Sequence, residues 1–171
     1  AGIRKFFDIV SEMKDAISLG VGEPDFNTPW SYNDAAIYSL RQGKTHYTSN
    51  WGLIELRRSI SKYVQLRFGV EYDPAKEVLV TVGASEGIDL ALRALIEPGD
   101  EVLAPDPTYV SYKPGIVFAG GTCVTIPTTA SDDFRMTPEA LKAAITPKTK
   151  ALIFPYPNNP TGGVMRREHM Q

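Results

Sequence analysis

The sequence predicts an α/β fold of three layers (αβα), in which a mostly parallel sheet is covered on both faces and an N-terminal arm precedes it. The first observation is that short apolar runs alternate with amphipathic stretches from residue 78 onward. The second is that these runs are nearly continuous, with only threonines or a charged first residue among the apolar ones, which is typical of strands buried on both faces. The third is a globular composition, with 43% apolar and 22% charged residues in a chain of 171.

The N-terminal stretch has a weaker pattern than the rest of the chain. Scattered apolar positions in residues 1–17 are compatible with a short amphipathic helix, and residues 19–29 form a loop rich in glycine, proline and acidic residues. A helix is predicted over residues 33–42, ended by Gly43. A stronger helical pattern covers residues 52–68 and is followed by a glycine.

Strands and helices alternate regularly in the remaining sequence. Each predicted strand is a short apolar run, and these runs lie at residues 78–82, 101–104, 122–126 and 150–154. Helices are predicted between them over residues 85–96 and 109–119. A further helix opens at Thr137-Pro138, where a capping residue precedes proline at the first helical position. This order of elements predicts parallel strands joined by helical crossovers.

Composition excludes several classes of function. The formal net charge is −2 with both signs interspersed, so nothing in the charge pattern indicates nucleic acid or an anionic membrane as partner. We expect neither a bilayer-spanning segment nor a signal peptide, because no apolar run is long enough. The single cysteine, Cys123, cannot form an internal disulfide, and a cytoplasmic setting fits this best. His46 and His169 are too few and too far apart in sequence to indicate a metal site.

The first candidate site is Gly83-Ala84-Ser85, between the strand ending at Val82 and the following helix. The free N–H groups and positive dipole end of a helix N-terminus attract anions, and glycine lets a phosphate approach the backbone closely. Ser85 adds a hydroxyl donor. The spacing is neither that of a P-loop nor that of a dinucleotide-binding fingerprint, and a tight turn capped by serine would have the same sequence.

Two further candidate sites follow predicted strands. The segment from Pro155 to Gly163 combines several turn-forming residues with Asn158-Asn159-Pro160, where the Asn–Pro bond is a candidate for the cis form. A rigid backbone there can hold an amide as a directed hydrogen-bond donor, although an ordinary proline-rich turn is the alternative. In Pro105-Asp106-Pro107-Thr108-Tyr109, the tyrosine can stack on a planar ligand or be an ordinary packed aromatic.

These three strand ends together favour one kind of ligand. Ligands of open α/β sheets bind at the carboxyl ends of the strands. An anion cradle, an aromatic ring and a fixed amide at that edge suit a planar, phosphorylated aromatic molecule.

The chain resembles the class I/II aminotransferases of fold type I along essentially its whole length. The motifs that carry the resemblance occur in the order of that family. They are Gly22-Glu23-Pro24-Asp25-Phe26 with Thr28-Pro29, His46-Tyr47, Gly52, Leu56-Arg57, residues 80–86, residues 98–102, Pro107-Thr108-Tyr109, Ala119-Gly120-Gly121 and Asn158-Asn159-Pro160-Thr161-Gly162. The last of these is among the most specific short motifs of the family.

The resemblance implies pyridoxal 5'-phosphate as cofactor and assigns roles to several residues. Ala84 and Ser85, at the turn begun by Gly83, would bind the phosphate through backbone and hydroxyl groups. Tyr109 would stack on the pyridine ring. Asn159 would donate a hydrogen bond to the phenolic oxygen of the ring.

Two more residues receive roles by resemblance, and so do two regions of the chain. Tyr47 would reach the phosphate of the neighbouring subunit in a homodimer, and Gly22 would lie against the substrate carboxylate, where a side chain would block entry. Residues 1–43 would form the N-terminal arm with the small-domain and dimer-contact segment. Residues 44–171 would be the first part of a truncated cofactor-binding large domain.

No catalytic residue is identified within this segment. The resemblance implies a lysine that bonds to the cofactor, an aspartate at the pyridine nitrogen and an arginine for the substrate carboxylate, all after the Asn-Pro-Thr-Gly motif. None of the chain's lysines has the sequence setting of that lysine. Residues 165–171 contain helix formers without a terminating glycine or proline, so we expect a segment of a longer chain.

The implied activity of the longer protein is transamination between an amino acid and a 2-oxo acid. A carbon–sulfur β-lyase with the same cofactor is an alternative, because it shares this half of the fold. A transcription regulator with an aminotransferase-like sensor domain is another, and it would need a basic helix-turn-helix before Ala1. The sequence does not indicate which amino acid is the substrate.

Overall fold

A computed structural model describes residues 8–10, 12, 13, 15, 17, 20 and 22–170. The chain divides into two compact units, Ala1–Tyr47 and Thr48–Gln171. No helix among these described residues is both long enough and apolar enough to cross a membrane. The roles predicted for residues 1–43 and 44–171 stay predictions.

The first unit contains helix α1, Trp30–Arg41. It begins earlier than the predicted residues 33–42, because the carbonyl of Pro29 accepts the amides of Tyr32 and Asn33 and so starts the first turn. None of its residues is buried, and Trp30 is 71% exposed. Residues 8–10 and 12 are helical, while most of the helix predicted within residues 1–17 lies outside the described residues.

The second unit contains the alternating elements. They are α2 (Ile54–Phe68), α3 (Gly83–Leu95), β1 (Glu101–Asp106), α4 (Tyr112–Phe118), β2 (Thr122–Pro127), a 3₁₀ turn (Ala130–Asp132), α5 (Pro138–Ala144), β3 (Thr149–Leu152) and α6 (Arg167–Met170). As predicted, α2 ends at a glycine, because Gly69 takes the left-handed conformation with φ of 72°. The start of α5 is also as predicted, since Thr137 accepts the amide of Ala140 and Pro138 follows it.

The three strands form one parallel sheet in the order β2-β1-β3. In the central strand β1, Val102 pairs with Cys123 of β2 and with Ala151 of β3. Successive strand residues point to opposite faces, so Val102 and Leu103, which are 0% and 1% exposed, enter different cores.

Each face of the sheet is covered by helices. On one face, Val102 packs with Leu92 and Ile96 from the region of α3 and with Ile116 of α4. On the other face, Leu103 packs with Ile126 and Met136, against the apolar side of α5. This arrangement confirms the predicted three-layer α/β fold with a parallel sheet. At the carboxyl end of the sheet, the loops that follow β1 and β3 lie together.

Two elements of the second unit differ most from their prediction. Residues 78–82 are not a paired strand. Val78 is buried, but Val82 is 90% exposed. The Val80 amide donates a hydrogen bond outside the sheet, to the carbonyl of Trp51. A strand requires a neighbouring strand for its ladder of hydrogen bonds, and the described part of the chain supplies none there. Helix α4 begins at Tyr112 rather than Tyr109, which leaves Tyr109 in the loop after β1.

Candidate functional site

A hollow of about 370 Å³ lies where α3 begins and where the loops after β1 and β3 end. Its lining residues are Val82, Gly83, Ala84, Ser85, Ile88, Tyr109, Tyr112, Pro155, Pro157 and Asn159. Five residues singled out from the sequence therefore meet in one place, although they come from three separate segments. A volume of this size is within the range of pockets that hold small molecules.

The start of α3 supplies hydrogen-bond donors to the hollow. The first amides of a helix have no acceptor inside it. Two of them find partners nearby, because the Val82 amide donates to the Glu86 carboxylate and the Gly83 amide donates to the Thr81 carbonyl at 2.9 Å. The amides of Ala84 and Ser85 are left without an acceptor inside the helix.

Ser85 does not cap this helix. The N-cap position is Val82 and carries no side-chain cap, so Ser85 lies inside the first turn with an exposed side chain. The alternative of a turn capped by serine is therefore wrong in its geometry. Gly83 has φ of 81°, a conformation that favours glycine, and a Cβ built there would meet nothing within 4 Å. The open space beside Gly83 and the free amides suit an anion such as a phosphate group.

The Tyr109 ring forms a second wall of the hollow. It packs edge to face with Tyr112, with ring centroids 5.5 Å apart and planes at 76°. Hydrogen bonds from Ser111 and then from Ser85 lower the pKa of Tyr109, because they stabilise its ionised oxygen. The tyrosine hydroxyl thus lies beside the start of α3, and the residue lines the hollow.

The loop after β3 brings Asn159 to the hollow with an exposed side chain. The Asn159–Pro160 peptide is cis, as are those of Tyr156–Pro157 and Asp106–Pro107. Asn158 has the opposite environment: it is only 3% exposed and its amide nitrogen donates to the Pro107 carbonyl at 2.9 Å. The residue pattern alone does not distinguish the two asparagines, and it was the family resemblance that assigned the ligand contact to Asn159.

Two other residues lining the hollow were not identified from the sequence. Tyr112 follows Tyr109 by one helical turn, and that spacing could have indicated a second aromatic on the same side. Ile88, on α3, supplies apolar surface, and its position one helical turn after Ala84 could have indicated this. The prolines of the loop after β3 line the hollow as rigid backbone.

Tyr47 and Gly22 lie in the first unit. Tyr47 is fully exposed, and a Cβ built on Gly22 would meet nothing within 4 Å. Their implied roles at a neighbouring subunit and at a substrate carboxylate stay predictions.

Cys123 is half-buried in β2, and burial raises the pKa of its thiol. Within the described residues no group of three or more His, Cys, Asp or Glu side chains could hold a metal ion.

The sequence pattern of the family described as "Aminotransferase class I and II" matches residues 14–171. The chain belongs to this family. It is 49% identical over 170 residues to the putative aminotransferase YugH of Bacillus subtilis, covering 99% of this chain and 44% of that protein. It is 46% identical over 169 residues to the aspartate aminotransferase of Pyrococcus abyssi, covering 99% of this chain and 43% of that protein.

A solved structure gives the same result for the fold. The N-succinyldiaminopimelate aminotransferase of Mycobacterium tuberculosis superposes with a TM-score of 0.92 at 39% identity, covering 99% of this chain and 44% of that one. The class I and II aminotransferase family predicted from the ordered motifs is therefore confirmed. The chain spans less than half the length of the relatives that it matches.

Proposed function

We propose that this chain is the first part of the cofactor-binding domain of a pyridoxal-phosphate-dependent aminotransferase. The longer protein would transfer an amino group between an amino acid and a 2-oxo acid. The observation that carries the proposal is the meeting of a helix start, an aromatic ring and an amide in one hollow, on a chain of this family.

The donor set fits each part of pyridoxal phosphate. The amides of Ala84 and Ser85 and the Ser85 hydroxyl would hold the phosphate, whose charge the positive end of α3 also stabilises. Tyr109 would cover one face of the ring. Asn159 would donate to the phenolic oxygen and stabilise its ionised form. When bound, the cofactor supplies a conjugated ring that accepts electrons from the substrate's α-carbon.

The chain's own residues would bind and orient rather than move the substrate proton. No lysine is among the residues that line the hollow in the part of the chain that the structure describes. The family resemblance implies that the lysine which bonds to the cofactor follows the Asn-Pro-Thr-Gly motif in the longer protein. We therefore assign no catalytic residue to this chain.

Transamination is favoured over the two alternatives by the relatives, which are named aminotransferases. No feature of the hollow favours a carbon–sulfur β-lyase or a sensor domain. The relatives are named for different substrates, so we propose no particular amino acid. A homodimer and a cytoplasmic setting belong to the proposal as well, and they rest on the family resemblance and on the single cysteine.

The first test measures binding of pyridoxal phosphate to the chain by equilibrium dialysis. Ser85→Ala and Asn159→Ala should each weaken binding by about tenfold, which corresponds to the loss of one charge-assisted hydrogen bond. Pyridoxal without phosphate should bind more weakly to the unsubstituted chain and should be insensitive to Ser85→Ala. Equal affinity of all variants for both ligands would refute the proposed site.

Two further measurements address the chemistry. Borohydride reduction of the chain with pyridoxal phosphate should label no single lysine preferentially. In the longer protein, amino transfer to 2-oxoglutarate should exceed pyruvate release from cystathionine. The reverse ratio would favour the β-lyase.

A further inference from the structure

Asn158 is a buried polar side chain in a loop whose next residue, Asn159, is exposed. It is 3% exposed, and burying a carboxamide costs free energy unless its polar atoms find partners. Its Nδ2 donates to the Pro107 carbonyl at 2.9 Å and to the Thr161 hydroxyl oxygen at 3.2 Å. Both hydrogens of the amide nitrogen therefore have acceptors.

These bonds connect two loops that are far apart in sequence. Asn158 and Pro107 are 51 residues apart. Pro107 lies two positions before Tyr109 in the loop after β1, and Asn158 directly precedes Asn159 in the loop after β3. The Asn158 backbone also closes its own loop, since its amide donates to the Gly163 carbonyl at 2.9 Å.

The orientation of the Asn158 amide is set by this network. If the amide were turned over, its oxygen would face the Pro107 carbonyl, and two acceptors would repel each other. The Oδ1 atom is buried and has no hydrogen-bond partner among the described residues. The folded chain keeps this unpaired acceptor buried, which costs free energy. The two hydrogen bonds that Nδ2 donates therefore stabilise the fold by more than that cost.

We propose that Asn158 is a positioning residue that fixes the separation between the Tyr109 ring and the Asn159 amide by clamping the loops that carry them. It does not touch the ligand itself. It acts by holding the ring and the amide donor at the spacing that a flat phosphorylated ring requires. This inference rests on the proposed function, and it gives a role to a residue that the family resemblance left without one.

The clamp is tested first without ligand, by hydrogen–deuterium exchange of the whole chain read by mass spectrometry. Asn158→Asp keeps the shape of the side chain but removes both donors. It should speed exchange by about tenfold both in peptides containing residues 108–111 and in those containing residues 157–163. The same change at an exposed position, Asn50→Asp, should leave both regions unchanged.

A second variant separates the two bonds. Thr161→Val removes one acceptor of Nδ2 but leaves the bond to Pro107, so exchange should rise in residues 157–163 and not in residues 108–111. If Asn158→Asp does not fold, Asn158→Ala is measured in the same way. Unchanged exchange of residues 108–111 in the Asn158 variant would overturn the clamp.

The functional role is tested by pyridoxal phosphate affinity in a double-mutant cycle with Asn159→Ala. Asn158→Asp should weaken binding by about tenfold in the unsubstituted chain, but by about threefold or less when Asn159 is already alanine. Equal factors in both backgrounds would mean a merely structural role and would overturn positioning. If the unsubstituted chain does not bind the cofactor while the exchange changes occur, the proposed function fails and the contact between the loops stands.

Discussion

Replacing Leu103 with alanine tests whether the sheet is packed between two helical layers. Leu103 is 1% exposed in β1 and packs with Ile126 and Met136 on the α5 face. The substitution removes three carbon atoms, which at roughly 0.8 kcal/mol each amounts to about 2.4 kcal/mol of lost transfer free energy. The cavity left behind adds to this, so the free energy of unfolding should fall by roughly 3–4 kcal/mol.

The measurement is urea denaturation followed by circular dichroism, with the same chain carrying Leu66→Ala as control. Leu66 lies on α2 and is 77% exposed, so the identical change there should alter the free energy of unfolding by less than about 0.5 kcal/mol. A loss below about 1 kcal/mol for Leu103→Ala, or a loss equal to that of the control, would show that the face under α5 is not a packed core.

Two other predictions concern polar groups. Tyr109 should ionise at a lower pH than a free tyrosine side chain, because hydrogen bonds from Ser111 and Ser85 lower its pKa, and Ser111→Ala should raise that pKa in an ultraviolet titration. Because a lowered pKa favours the ionised form, Tyr109 stabilises the folded state at pH values above its unfolded pKa of about 10. This stabilisation is lost as the pH falls through the pKa of Tyr109 in the folded state. A titration of Tyr109 that Ser111→Ala leaves unchanged would contradict the role of these hydrogen bonds. Arg57 is 7% exposed and donates to three backbone carbonyls at 2.7, 3.2 and 3.3 Å, so Arg57→Ala should lower the free energy of unfolding by about 2–4 kcal/mol. Urea denaturation should show a far smaller loss for the exposed neighbour in Arg58→Ala, and equal losses would contradict the role of these bonds.

Elements specified by neighbouring residues could be predicted from the sequence. The start of α5 depends on Thr137 and Pro138, and the end of α2 depends on a glycine with φ of 72°. The strands β1 and β2 were predicted because their apolar runs lie between turn residues. Such signals act over a few positions, so an amino-acid sequence contains them completely.

Elements that depend on distant partners were predicted less well. Residues 78–82 have the composition of a buried strand, yet they form no ladder among the described residues, because composition does not supply a neighbouring strand. The loop from Pro107 to Ser111 displaced the predicted start of α4 by three residues, to Tyr112. Its conformation depends partly on the long-range bond from Asn158 to Pro107.

The same distinction applies to the candidate site. The sequence by itself determined the family and the residue types of the three segments that line the hollow, two of which follow strands of the parallel sheet and so lie at one edge of it. The family resemblance assigned the ligand contact to Asn159, but only the tertiary structure decided that Asn158 is buried and bonded to the loop after β1. Two adjacent residues of one type carry the same local signal, and their environments differ because one contacts a chain segment 51 residues away.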